Sequence, residues 1–315
     1  MTPTDADVRR VLLLAHTGRE GARASAREFV SALSGHGLVV RLLAHEAGDL
    51  DVAGIPHEIA DVGADPARDC EIAVVIGGDG TILRAAELTR GSGTPLLGVN
   101  LGHVGFLAEA EYDATEAVID ALVRRSWTVE ERLTLDVRVM ENGSVTYETF
   151  ALNEASVEKA ARERMLEVVV EVDGRPLSRW GCDGVVCATP TGSTAYNFSA
   201  GGPVVWPDVE ALLMVPISAH ALFARPLVVS PESVLAVELL ARVEGAGVLW
   251  CDGRRTVDLR PGARIEVRRG LAPVRLARLH EAPFTDRLVA KFGLPVEGWR
   301  GAAERRRLHE GPTDV

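Results

Sequence analysis

Lysine is almost missing from this chain: of 315 residues only Lys159 and Lys291 are lysine, and every other basic residue is arginine. Neither lysine follows a glycine, so the Gly-Lys end of a Walker loop cannot be formed and a P-loop NTPase is excluded. Cysteine is also scarce. Cys70, Cys182, Cys187 and Cys251 make no Cys-x-x-Cys pair and have no histidine at zinc spacing, so they are expected as buried, reduced thiols. The Gly-x-Gly-x-x-Gly, Gly-x-Ser-x-Gly and His-Glu-x-x-His patterns are absent as well. No long apolar run exists: the most hydrophobic stretch, 211–230, is broken by Pro216, His220, Arg225 and Pro226, which excludes a membrane span. The acidic N-terminus has no signal-peptide core, and a cytoplasmic location is expected. A net charge of −11 argues against nucleic acid or an anionic membrane as partner. A site for a polyanion must therefore be made locally, from amides, arginines and metal.

What is present divides into two halves. At this length two domains are expected. The first 130 or so residues alternate short apolar strands (8–16, 39–45, 72–76, 95–99) with helical stretches (21–35, 81–89, 115–124). That alternation predicts a Rossmann-like α/β domain with a parallel sheet, over residues 1–132. Beyond Leu133 the apolar period becomes two. Asn142-Gly143, Asp173-Gly174 and Asp252-Gly253 each follow a strand-like run, as hairpin turns do. A mainly β sandwich is expected over 133–280, its strands including 273–279, then a helix (284–292) within 281–300 returning to the first domain, and a disordered tail at 301–315.

The densest chemical signal is Ile72-Ala-Val-Val-Ile-Gly-Gly-Asp-Gly-Thr81, a buried strand running into a glycine-rich turn and a helix. Gly77, Gly78 and Gly80, with Thr81, leave bare amides at a helix start, where a phosphate can sit. Asp79 among them suits a Mg²⁺ ligand or an acceptor for the proton of an attacking hydroxyl. An ordinary Asp-Gly turn is the plainer alternative. Asn153-Glu154 opens a polar segment, either a solvated loop or a pair that hydrogen-bonds a base edge or ribose. The second dense signal is Thr189-Pro-Thr-Gly-Ser-Thr-Ala-Tyr-Asn-Phe-Ser199, where Ser193 or Thr194 is expected to cap a helix whose amides and hydroxyls suit an adenosine or its phosphates. Two polar glycine-rich turns in different domains suggest a site between them.

Gly77-Gly-Asp-Gly-Thr81, Asn153-Glu154 and Thr189–Tyr196, in this order and at these separations, resemble the NAD kinase (ATP-NAD kinase) family, bacterial type. Asn100–Leu107, Ser199–Pro203 and Ala224–Leu227 support the likeness, which spans residues 8 to 295. The Gly-Gly-Asp-Gly turn alone is shared with lipid and sugar kinases; a lipid kinase and a non-catalytic NAD(P)-sensing protein are the rival readings. The resemblance implies transfer of the γ-phosphoryl group of ATP, or of polyphosphate, to the 2′-hydroxyl of the adenosine ribose of NAD. It implies Asp79 as the catalytic carboxylate, with Gly80, Arg84, Asn153, Glu154, Arg164, Asp183, Thr194, Ala195, Tyr196, Asn197, Phe198 and Ser199 as NAD contacts. It further implies a divalent metal such as Mg²⁺ and a homotetramer or homodimer. Two positions depart from the family pattern: Gly181 stands where a basic residue is common, and Arg254 where glutamine is common.

Overall fold

The computed structural model describes residues 8–61, 63, 65–100, 105–108, 110–111, 115–161, 165–241, 246–280 and 283–296. Arg164, residues 101–104 and the 301–315 tail lie outside that set.

The first domain begins β1 (Arg10–Ala15), α1 (Glu20–Gly35), β2 (Val39–Leu42), α2 (Ala44–Leu50), β3 (Glu58–Ile59), β4 (Ile72–Ile76), α3 (Asp79–Thr89), β5 (Leu96–Asn100), β6 (Ala110–Glu111), α4 (Thr115–Arg124) and β7 (Thr128–Arg132). The apolar runs of β1, β4 and β5 are buried on both faces, as parallel strands flanked by helices must be. The strand expected over 39–45 stops at Leu42, because Ala44 starts a short helix.

The second domain holds β8 (Leu135–Glu141), β9 (Ser144–Ala151), β10 (Glu154–Lys159), β11 (Leu166–Val172), β12 (Arg175–Cys182), β13 (Gly184–Ala188), α5 (Tyr196–Ser199), β14 (Leu212–Ile217), β15 (Leu227–Val229), β16 (Leu235–Leu239), β17 (Gly247–Cys251), β18 (Arg255–Leu259) and β19 (Arg264–Arg269). They form two six-stranded sheets, in the orders 15-14-13-10-17-18 and 12-11-16-19-8-9. Leu135, Val168, Trp180, Val185, Leu249 and Ile265 from both sheets share one core, so the sandwich is observed. All three expected hairpin turns are present. Each has its two central residues at positive φ (51° and 78°, 54° and 70°, 53° and 62°), the geometry that matches strand twist.

One strand moves. β20 (Val274–Arg278), expected in the sandwich, joins the first sheet instead: it runs parallel to β5 and antiparallel to β7. The sandwich therefore ends near residue 270, and the chain returns to the first domain before α6 (Phe284–Phe292). Helix α6 does reach the first domain, with Phe284 and Phe292 stacking on Phe106 at 5.8 and 5.9 Å. It also touches the second, through Phe198 at 4.7 Å and Trp206 at 5.3 Å.

The domains share an apolar core in which Phe150 and Leu152 pack with Ile82, Leu83 and Ala86 of α3. Around it, Arg90 and Arg255 lie 4.0 and 4.3 Å from the Phe150 ring, and Glu87 of α3 pairs with Arg254 at 3.1 Å. These contacts hold α3, and thus the glycine-rich turn, against the sandwich.

Candidate functional site

The turn after β4 is built by close approach. A Cβ on Gly77 would lie 2.5 Å from the Thr81 hydroxyl, and its φ of 154° also favours glycine. Gly78 is the N-cap, and the amides of Thr81 and Ile82 both donate to its carbonyl at 2.9 and 3.2 Å. Helix α3 thus starts at Asp79, two residues earlier than the sequence pattern predicts. The first N–H groups of any helix lack partners within it and carry the positive end of its dipole.

Asp79 does not cap its own helix. Its carboxylate accepts the amides of Phe106 at 3.1 Å and Leu107 at 3.2 Å, and a Cβ on Gly105 would sit 2.5 Å from it. The other side of that segment is gripped by arginines. Arg287 of α6 donates to the carbonyls of Phe106 and Ala108 at 3.1 and 2.9 Å, and Arg278 of β20 to that of Leu107 at 3.3 Å. The peptides that orient Asp79 are therefore positioned by the returning C-terminal part of the chain.

Asn153 and Glu154, allowed above as a solvated loop, are buried, and Glu154 opens β10. A Cβ on Gly192 would meet the Asn153 carbonyl at 2.0 Å, so the Thr189–Thr194 turn lies directly on this pair. The Thr189 hydroxyl donates to the Leu152 carbonyl at 2.6 Å. Residues Thr191–Thr194 form a 3-10 turn before α5, and neither Ser193 nor Thr194 caps that helix. The Ser193 hydroxyl instead bonds both the carbonyl and the amide of Val205, and Thr194 donates to the Thr191 carbonyl. The capping acceptor is Glu154, which receives the Tyr196 amide at 3.4 Å. Asn197 is fully buried, its side-chain amide donating to the carbonyls of Ser193 and Pro203. Phe198 and Ser199 are exposed, while Ala195 and Tyr196 are half-buried.

Burial, with the Asp252 carboxylate next in effect, pushes the Glu154 carboxyl up to about 8. A raised carboxyl pKa stabilises the fold fully below the unfolded value, and this is lost as pH rises through the folded one. Wild-type protein is therefore expected to lose on the order of a few kcal/mol between pH 5 and 9 that Glu154→Gln does not lose. Thermal melts across that range check this; parallel curves would contradict it.

Asp252 was legible only as a hairpin turn, yet it organises the site. It is buried, accepts the amide of Leu152 at 3.0 Å and that of Asn153 at 2.7 Å, and pairs with Arg255 at 2.7 Å. Burial raises its pKa against those donors. With Gly253 and Arg254 it faces the first domain across a cleft of about 620 Å³, whose other wall includes His16, Arg19, Gly78, Gly80, Thr81 and Arg84. The cleft lies at the carboxyl ends of β1 and β4, where ligands of such sheets bind. Arg84 is held there by Glu46, which is fully buried and also accepts the Ala15 amide at 3.3 Å. Burial raises the Glu46 pKa, and Arg84 opposes the rise. The His16–Arg19 loop and Arg254 were not among the expected site residues; the loop's position after a strand end, and for Arg254 its departure from the family pattern, are the signals that point to them.

Beyond Tyr196 the site continues in charged groups. Glu158 bonds the Tyr196 hydroxyl, whose pKa is raised first by burial. Asp183 pairs with Lys159 at 2.5 Å, and that hydrogen bond holds its carboxyl below the usual range. The structure thus joins Gly78–Arg84, Asn153–Glu154 and Thr189–Tyr196 into one region, with Asp183 at its edge. Among the described residues no group of three His, Cys, Asp or Glu is placed to hold a metal ion.

Residues 11–127 match the model of the ATP-NAD kinase N-terminal domain, and residues 152–279 that of the ATP-NAD kinase C-terminal domain. The chain is 63% identical over 295 residues to NAD kinase 2 of Streptomyces coelicolor, covering 94% of this chain and 98% of that protein. It is 60% identical over 305 residues to the NAD kinase of Thermobifida fusca, covering 95% and 93%. Among solved structures, yeast NADH kinase complexed with NADH superposes with a TM-score of 0.82 at 25% identity, covering 92% of this chain and 89% of that one. An NAD kinase from Archaeoglobus fulgidus in complex with ATP gives 0.65 at 26%, covering 91% and 98%.

Proposed function

The chain belongs to the NAD kinase family, and from that premise we propose that the cleft between its domains is where ATP and NAD meet. The activity is transfer of the γ-phosphoryl group of ATP to the 2′-hydroxyl of the adenosine ribose of NAD, yielding NADP and ADP. One observation carries the assignment of the site: the glycine-rich start of α3 lines one wall of the cleft, and Asp252, whose carboxylate accepts the Asn153 amide, lines the other. Phosphoryl transfer needs positioning and charge neutralisation more than covalent help. The open amides at Gly78–Gly80, with Arg19, Arg84 and Arg254, supply those for the donor phosphates.

In this reading Asp79 orients the acceptor hydroxyl and takes its proton, its carboxylate plane fixed by the two backbone amides. Asn153, Glu154, Thr194, Ala195 and Tyr196 line the acceptor, and Gly80 lies against the dinucleotide. Asn197 acts through the loop it ties together. A lipid acceptor would need an apolar wall, which these residues do not form. A divalent cation such as Mg²⁺ fits Asp79 together with donor phosphates, since this ion commonly takes few protein ligands. When bound, it would offset phosphate charge.

Incubation with NAD, ATP and Mg²⁺, followed by a strictly NADP-dependent dehydrogenase, tests the function; folded protein that makes no NADP would contradict it. For Asp183, we expect Asp183→Ala to raise the KM for NAD severalfold with a smaller change in kcat. An unchanged KM in a folded variant would remove Asp183 from the substrate contacts.

Exposed apolar residues support the reading of a homo-oligomer. Leu222 is fully exposed, Leu177, Phe223 and Val228 are about half exposed, and the Trp180 indole holds the loop at the Phe223 carbonyl. Sedimentation at the mass of one chain would contradict this. The four free cysteines fit a reducing compartment, the cytoplasm.

A further inference from the structure

A second concavity, of about 440 Å³, shares no residue with the cleft of the proposed reaction. Glu130, Arg132, Trp206, Arg278, Phe284 and Arg287 line it, drawn from β7, β20, α6 and the loop after α5. Its floor carries concentrated positive charge. Arg132 is 6% exposed, pairs with Glu130 at 2.7 Å and reaches the Thr191 hydroxyl at 3.5 Å. Glu130 is shared, because Arg278 also pairs with it at 2.8 Å. The other carboxylate lining the pocket among the described residues, Asp208, is exposed.

The Nε–H of Arg132 is buried without a hydrogen-bond partner. Leaving a buried charged donor open costs more than leaving a neutral one open. Burial, and then the nearby Arg278 and Arg287 against the opposing Glu130, weaken the hold of Arg132 on its proton. An anion bound at the Arg132 guanidinium would offset this crowding of positive charge. At one wall, Trp206 meets Phe284 edge-on at 5.3 Å and remains 44% exposed, which leaves a flat aromatic face beside the guanidinium cluster.

We propose that this pocket binds a mononucleotide, its phosphate on the Arg132–Arg278–Arg287 cluster and its base on Trp206. The volume suits a ligand of that size. None of its lining residues is among those proposed to contact donor or acceptor, so NAD-saturated protein is the form in which it is tested.

The test is calorimetric titration of the full-length protein, saturated with NAD and without ATP, using AMP and inorganic phosphate as separate probes. AMP is expected to bind once per chain and more tightly than phosphate. Trp206→Ala should weaken AMP at least tenfold and leave phosphate binding within twofold; Arg132→Met should weaken both at least tenfold. Trp206→Ala alone decides the matter if Arg132→Met fails to fold, since Trp206 is largely at the surface. No AMP binding in NAD-saturated protein, equal affinity for AMP and phosphate, or AMP affinity unchanged in Trp206→Ala would overturn the proposal.

Discussion

Asp79→Asn is expected to lower kcat for NADP formation by about 10²–10⁴ while the KM for NAD changes by less than threefold. The carboxylate has two oxygens and two backbone donors, the amides of Phe106 and Leu107. Asparagine keeps one acceptor oxygen and turns an NH2 toward the other amide, which costs roughly 1–3 kcal/mol of stability. The variant should therefore remain folded, with a modestly lower Tm, and bind NAD through its unchanged second-domain contacts. Steady-state rates and a thermal melt, measured together, separate the two effects. Near-wild-type turnover in the folded variant would remove Asp79 from the chemistry.

The second large effect is expected at Asp252, which contacts neither reacting atom in this account. Asp252→Ala leaves the buried amides of Leu152 and Asn153 without their acceptor and deprives Arg255 of its nearest carboxylate. Breaking a buried pair in this way typically costs about 3–5 kcal/mol. The consequence for the site is loss of the backbone geometry at Asn153 and Glu154, so the KM for NAD should rise well over tenfold in whatever fraction folds. Asp252→Asn, which keeps an acceptor oxygen, should recover most of both. A third readout is specific to the charge. Removing the Asp252 carboxylate removes one of the groups that raise the Glu154 pKa, so the stability loss attributed to Glu154 should be smaller and be complete at lower pH. A melt that loses about 1 kcal/mol or less, or a Glu154 pH profile that does not move, would reduce Asp252 to an ordinary turn residue.

Much of this was visible in the chain itself, where the determinants are local. The strand, turn and helix around Gly77–Thr81 follow from an apolar run ending in glycines, and the three hairpins from their Asn-Gly and Asp-Gly pairs. The apolar pattern predicts α3 only from Thr81, because Gly78 and Gly80 carry no helical signal, although the Gly78 carbonyl accepts the Thr81 and Ile82 amides and starts the helix at Asp79. Asp252 is not legible because its contacts are far apart in the chain. Its role depends on β17 pairing with β10, which brings Leu152 across a separation of 100 residues. For Asn153 and Glu154 the sequence leaves a solvated loop and a ligand-binding pair both open, because a buried carboxyl is rare and only the pairing of β10 between β13 and β17 buries it. β20 (Val-Arg-Leu-Ala-Arg) reads as a strand, but a strand pattern does not say which sheet it joins. Its return matters most for function, since it and α6 deliver the arginines that grip the segment orienting Asp79.

The central claim is that this cleft presents one hydroxyl, the 2′-oxygen of the adenosine ribose, to Asp79 and the donor phosphate. Two NAD analogues test it directly, one lacking the 2′-hydroxyl and one lacking the 3′-hydroxyl of that ribose. With ATP and Mg²⁺, the 3′-deoxy analogue should be phosphorylated, and the 2′-deoxy analogue should compete with NAD while accepting no phosphate. Phosphorylation of the 2′-deoxy analogue at a comparable rate would contradict the account.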